Sequence, residues 1–144
     1  MGAENAYLST GPLRGAQRCM NGVTFDAGGL IALERNDRRV LSLLAAAVEN
    51  GYDVLVPATA LAQVIRNPAK QVRLWRLVQR DRTEVVPLDA AYAQAVGALL
   101  SRSGTANITD AHVIACARRA GHAVITSDPR DLRRLDPGLR VIAV

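Results

Sequence analysis

The sequence predicts an α/β sandwich built around a mostly parallel sheet. Two patterns predict it. Short apolar runs alternate along the chain with longer segments whose apolar residues recur at helical spacing, which marks strand–helix–strand units. The runs Val54-Leu55-Val56 and Ala123-Val124-Ile125 are continuous rather than alternating, as strands covered on both faces require.

The elements follow in order. Residues 1–21 have little periodicity and carry Gly2, Gly11, Pro12 and Gly15, so a flexible leader or tail is expected there and a single domain over residues 22–144. Val23-Thr24-Phe25 reads as a strand ending at Asp26, with Gly28-Gly29 before the apolar residues 30–33. Asp37 opens a helix whose apolar side holds Val40, Leu41, Leu43, Leu44, Ala47 and Val48, and Gly51 ends it. Asp53-Val54-Leu55-Val56-Pro57 is a second strand stopped by proline. Helices over residues 59–66 and 69–80 are divided at Asn67-Pro68, because the residue before a proline resists the helical conformation. Residues 83–87 form a third strand, and Asp89 caps a helix running to about residue 102. Beyond Ser103-Gly104-Thr105 come a helix over residues 109–120, a strand at 122–126, a helical turn at 129–135 and a last strand at 139–144.

Composition narrows the function. At 144 residues and 49% apolar content the chain can bury one sizeable core and is not a disordered polymer. No stretch approaches 18 uninterrupted apolar residues, and no basic leader precedes an apolar run, so neither a membrane span nor a signal peptide is expected. Cys19 and Cys116 form no CxxC, which fits a reduced, cytoplasmic protein. The net charge of +5 comes from 17 Arg and one Lys against 13 acids. An anionic partner is favoured, nucleic acid first, although a basic but passive surface has the same composition. Aromatic residues make up only 3%, too few for a base-stacking platform.

Catalytic groups in open α/β folds gather beyond the carboxyl ends of the strands. Asp26 follows Val-Thr-Phe, Asp128 follows Val-Ile-Thr-Ser, and Asp110 stands in the first turn of a later helix. Carboxylates gathered this way repel one another unless a cation lies between them. Oxygen ligands select a hard ion, Mg2+ or Mn2+, and the matching chemistry is phosphodiester hydrolysis. Each acid also has a structural alternative. Asp26 before Gly28-Gly29 and Asp128 before Pro129 both suit helix caps, and Asn107 stands at capping distance from Asp110. His112 and His122 fit no metal motif, and His112 is expected either to pack or to stand behind the site's ligands. GxGxxG, GKS/GKT and GxSxG are all missing, so nucleotide-binding loops and the simplest serine hydrolase are unsupported. Arg66, Lys70, Arg73 and Arg80, spaced by 4, 3 and 7 residues, would share one helical face if the bend at Pro68 is mild. That face could follow an RNA backbone or simply be solvated.

The segments TFDAGGLIALE, VPATALAQVIRN, GTANITDAHVIACARRAG and VITSDPRDLRRL, in this order, resemble the PIN-domain family, and within it the VapC-type toxin ribonucleases. The resemblance covers residues 23–144. It implies a three-layer α/β/α sandwich with a mostly parallel central sheet, an acidic Mg2+ or Mn2+ pocket, endoribonuclease activity, a homodimer and a cognate antitoxin. By position Asp26, Asp110 and Asp128 match the family's acids, and Thr126 and Ser127 are candidate hydroxyl contacts to a metal-bound water or a phosphate. The chain departs from the pattern at Gln63, where a glutamate is usual, and at Asn107, where an aspartate is common. Each amide keeps the shape and loses a charge, so metal affinity should fall. Two readings stay open: a weakened metal-dependent ribonuclease, and a catalytically impaired PIN-like protein that binds RNA or a partner protein. Leu43, Leu44, Val48 and the apolar side of residues 72–78, including Trp75, suggest an association surface.

Overall fold

The computed structural model describes residues 21–144. The separate leader expected over residues 1–21 lies, but for Asn21, outside the described residues. Five strands form one parallel sheet in the order β3-β2-β1-β4-β5: β1 Gly22–Phe25, β2 Asp53–Pro57, β3 Thr83–Val86, β4 Ala123–Thr126 and β5 Val141–Ala143. The chain adds β2 and β3 on one side of β1, then crosses back to lay β4 against the other side. Phe25 pairs with Ile125, and Asp26 N–H donates to Ile125 O at 3.2 Å. The direction of winding therefore reverses between β1 and β4. In open parallel sheets that reversal opens a crevice at the carboxyl ends of the strands.

Helices cover both faces, as right-handed crossovers require. Before β3 come α1 Ala27–Glu34, α2 Arg38–Asn50, α3 Ala58–Val64 and α4 Val72–Gln79. After it come α5 Ala90–Ser103, α6 Ile108–Ala120 and α7 Pro129–Leu135. Helix α6 is buried nearly all round, from Thr109 to Ala117, because the sheet lies under it and α5 lies over it. Phe25, Leu30, Val54, Val56, Leu74, Ile114 and Ile125 are fully enclosed in the core. Leu43 and Leu44 pack against that core and Leu77 is buried in it. Of the apolar residues expected to exceed one domain's needs, Val48 and Val72 stay exposed.

The helical face expected to hold Arg66, Lys70, Arg73 and Arg80 does not form. Helix α3 ends at Val64, Pro68–Lys70 is a separate 3-10 turn, and Arg80 is already extended at the end of α4. Pro68 starts the break, and Gln71 fixes it. The buried Gln71 amide accepts the N–H groups of Arg66 and Asn67 at 3.0 and 3.2 Å. It donates to Val64 O at 2.9 Å and to Glu34 at 2.7 Å. The helical hydrogen bonds of the Arg66 and Asn67 N–H groups are thus replaced by side-chain ones. The four basic residues occupy three segments, with Arg73 reaching Glu34 O at 3.4 Å and Arg80 reaching Thr83 at 3.0 Å.

Candidate active site

Asp26 leaves β1 and caps α1: its carboxylate accepts Gly29 N–H at 2.7 Å. The two glycines that follow let α1 start hard against the end of β4. A Cβ at Gly28 would run into Ser127 Oγ, and one at Gly29 into Ile125 O. Both lie at the β1–β4 reversal, so the close approach that needs glycine is also what brings Asp26 beside the Thr126–Asp128 segment. The capping and site readings of Asp26 are therefore not exclusive. One oxygen caps, and the carboxylate still faces its neighbours.

Thr126 ties this corner together. Its buried hydroxyl donates to the Asp26 carboxylate and accepts Asp128 N–H at 2.9 Å. Asp128 sits before Pro129 at the start of α7, yet its side chain makes no capping hydrogen bond. On α6 the capping work falls to Asn107, whose Oδ1 accepts Asp110 N–H at 3.0 Å, leaving the Asp110 carboxylate free. Gln63, on α3, is exposed and donates to Thr109 Oγ1 at 2.9 Å, which sets it beside the first turn of α6. Ser127 is exposed next to Gly28. His112 is fully buried, shares a 2.8 Å hydrogen bond with Thr59 and meets the Tyr92 ring edge-on. It is a packing residue, and burial lowers its pKa.

The acids feel one another. Burial raises the Asp26 carboxyl, which Thr126 and the Gly29 N–H pull back down and the Asp128 charge raises further. Burial also pushes the Asp110 carboxyl up to about 6, helped by the charges of Asp26, Asp131 and Asp128. Asp131 is the member that the sequence reading missed. Its signal was its place three residues after Asp128, on the same side of a short helix. Within RDLRR it reads as one exposed acid among arginines, and Arg134 does approach it, at a long 3.9 Å.

The donor set is all oxygen, which suits a hard divalent cation. Among the described residues, no group of three or more His, Cys, Asp or Glu is set closely enough to enclose an ion with protein ligands alone. Mg2+ does not need such a cage: it keeps several waters and is held by one or two carboxylates together with substrate phosphate. The residues fit an ion bound in that open way. Asp26 and Asp110 would hold it, with Asp128 and Asp131 adding field, and the ion would supply the polarisation of phosphate and water that hydrolysis requires.

Residues 23–137 match the PIN domain. The chain belongs to the PIN-domain family. No curated protein matches it. Among solved structures this PIN domain is similar in fold to a chain of VapBC2 from Rickettsia felis bound to a promoter DNA fragment. That match has a TM-score of 0.63 and 16% identity, covering 85% of this chain and 98% of the other. It is similar also to a chain of FitAB bound to an IR36 DNA fragment, with a TM-score of 0.59 and 18% identity over 84% and 94% of the two chains. A chain of FitAcB from Neisseria gonorrhoeae gives a TM-score of 0.53 and 20% identity over 83% and 96%. At these identities the likeness is one of fold.

Proposed function

We propose that this PIN domain is a Mg2+- or Mn2+-dependent endoribonuclease, the toxin of a cytoplasmic toxin–antitoxin pair. The observation that carries the reading is the grouping of Asp26, Asp110, Asp128 and Asp131 where the winding of the sheet reverses, with Thr126 joining Asp26 to the Asp128 backbone and Asn107 capping the helix of Asp110. Four acids grouped there, with the long approach of Arg134 to Asp131 as their one ion pair among the described residues, cost stability. A cation with a phosphate is what offsets the cost. In this reading Asp26 is fixed in place by Gly29 and Thr126, and Asp110, whose N–H is capped by Asn107, turns its carboxylate to the ion. Ser127 Oγ is a phosphate contact, whereas Thr126 spends its hydroxyl on Asp26 and Asp128. Arg66, Lys70, Arg73 and Arg80 lie outside the acids and would meet RNA backbone from separate segments rather than as one stripe. The fold shared with chains of VapBC2 and FitAB supports a cognate antitoxin, and the exposed Val48 and Val72 support a homodimer or antitoxin contact.

The amides favour the second reading, an impaired enzyme that binds RNA or a partner protein: Gln63 and Asn107 add no charge, and Asn107 is already used as a cap. Gel cleavage of structured RNA separates the two. The first predicts cleavage with Mn2+, none with EDTA, and at least about a hundredfold loss in Asp26→Asn. Binding without cleavage at any Mn2+ concentration would support the second.

A further inference from the structure

A cavity of about 290 Å³ opens beside Asp110 and Asp131. Its size matches the lower end of small-ligand pockets, which run to about 300–1,000 Å³, so it has room for one nucleoside and not for a duplex. Its wall also includes Thr105, Asn107 and Arg134, with Leu135 as an apolar member. The hydrogen bonds already made decide what this wall can offer. Asn107 Oδ1 is taken by Asp110 N–H at 3.0 Å, so its NH2 is the free end. Thr105 Oγ1 accepts Asn107 N–H at 3.4 Å, which leaves the hydroxyl proton to give. Arg134 is 79% exposed and held to Asp131 only at 3.9 Å, so its fork can turn inward. The lining thus offers donors from Thr105, Asn107 and Arg134, and the Asp131 carboxylate, an acceptor, stands beside Arg134. No aromatic ring lines the cavity, so a base would be read by its edges rather than by stacking.

We propose that this cavity takes the nucleoside flanking the phosphate held at Asp26 and Asp110, and that it selects guanine. Guanine alone presents two adjacent acceptors, O6 and N7, which an arginine fork matches bidentately, together with an N2 amino donor for a carboxylate. Arg134 reads the acceptor edge and Asp131 the donor edge. The flanking position rests on the nuclease reading; the guanine preference rests on the cavity.

The test titrates 5′-GMP, AMP, CMP and UMP into the full chain in Mg2+ and follows backbone amide resonances. GMP should shift Thr105, Asn107 and Arg134 and bind roughly five- to a hundredfold more tightly than the others. Arg134→Gln should erase that preference, and so should Arg134→Lys, which keeps the charge but not the fork. Arg134 is exposed, so both variants should fold. Equal binding of all four nucleotides, or shifts that avoid these residues, overturns the proposal. RNA cleavage is read separately on gels. A GMP preference without cleavage supports the cavity and sinks the nuclease, and cleavage without any GMP preference does the reverse.

Discussion

The two ends of the sheet treat their acids in opposite ways. At the amino end two acids have an arginine. Asp53, at the start of β2, pairs with Arg82 at 3.0 Å, and the buried Asp136 pairs with Arg118 at 3.0 Å. Arg82 even adopts a left-handed φ of 64° there, a conformation that costs a non-glycine residue energy. A gap of about 700 Å³ also opens at that end and runs along β3 past Asp53, Arg82 and Arg119. At the carboxyl end Asp26, Asp110 and Asp128 have no basic partner within ion-pair distance among the described residues, in a chain with 18 Lys and Arg against 13 acids. What sets the candidate site apart is not room but carboxylates that burial and one another's charge push up.

Mutation should expose that contrast, first at the amino end. Asp136 accepts Gly138 N–H at 3.1 Å as well as pairing with Arg118. Asp136→Ala should therefore destabilise the domain by about 2 kcal/mol, the scale of removing a charged hydrogen bond in a buried setting, and urea denaturation would measure it. An unchanged midpoint would make the pairing at that end incidental.

At the carboxyl end the sign reverses. The Asp110 carboxyl is raised from 3.8 to about 6 in the folded state, so between those values the folded chain binds more protons than the unfolded one. Metal-free stability should then fall as pH rises through the window from about 4 to 6 and level off above it. The raised Asp26 adds the same sign. In EDTA at pH 7, Asp110→Asn should melt higher than wild type by roughly 2–4 °C, solvent at this half-exposed group damping the gain. At pH 4 the difference should vanish. A variant less stable than wild type at pH 7 would mean that the carboxylate has a partner after all.

The smallest effect belongs to the arginines that lie outside both clusters. Replacing Arg73 and Arg80 with Gln should weaken RNA binding alike for all sequences and reduce the salt slope by about one unit for each phosphate no longer neutralised. Unchanged slopes would leave these residues as ordinary surface.

Sequence showed where most elements lie and which acids end strands, because apolar runs and caps are local signals. Asp37, Asp89 and Asn107 cap the helices that follow them, and Gly51, Gly104 and Gly121 end helices in the left-handed conformation. What stayed hidden was non-local. Strand order depends on pairing Phe25 with Ile125, a hundred residues apart along the chain. The first helix was unreadable as a helix because Gly28 and Gly29, poor helix formers, are there for their contact with β4. The arginine face failed through Gln71, a polar residue whose burial no spacing rule announces. Asp131 was masked by its basic neighbours.

On the proposed function, the acids at the carboxyl end are left unpaired for a divalent cation. Scanning calorimetry of wild type, Asp110→Asn and Gln63→Glu at pH 7, each in EDTA and in millimolar Mn2+, tests it most directly. Gln63 touches Thr109 by a single 2.9 Å hydrogen bond, and a carboxylate in its place can accept the Thr109 hydroxyl proton, so packing is conserved. Gln63→Glu should melt below wild type in EDTA, since it adds a like charge, and gain more than wild type from Mn2+, since ion binding selects the folded state. Asp110→Asn should do the opposite on both counts. Equal Mn2+ shifts in all three proteins would contradict the claim.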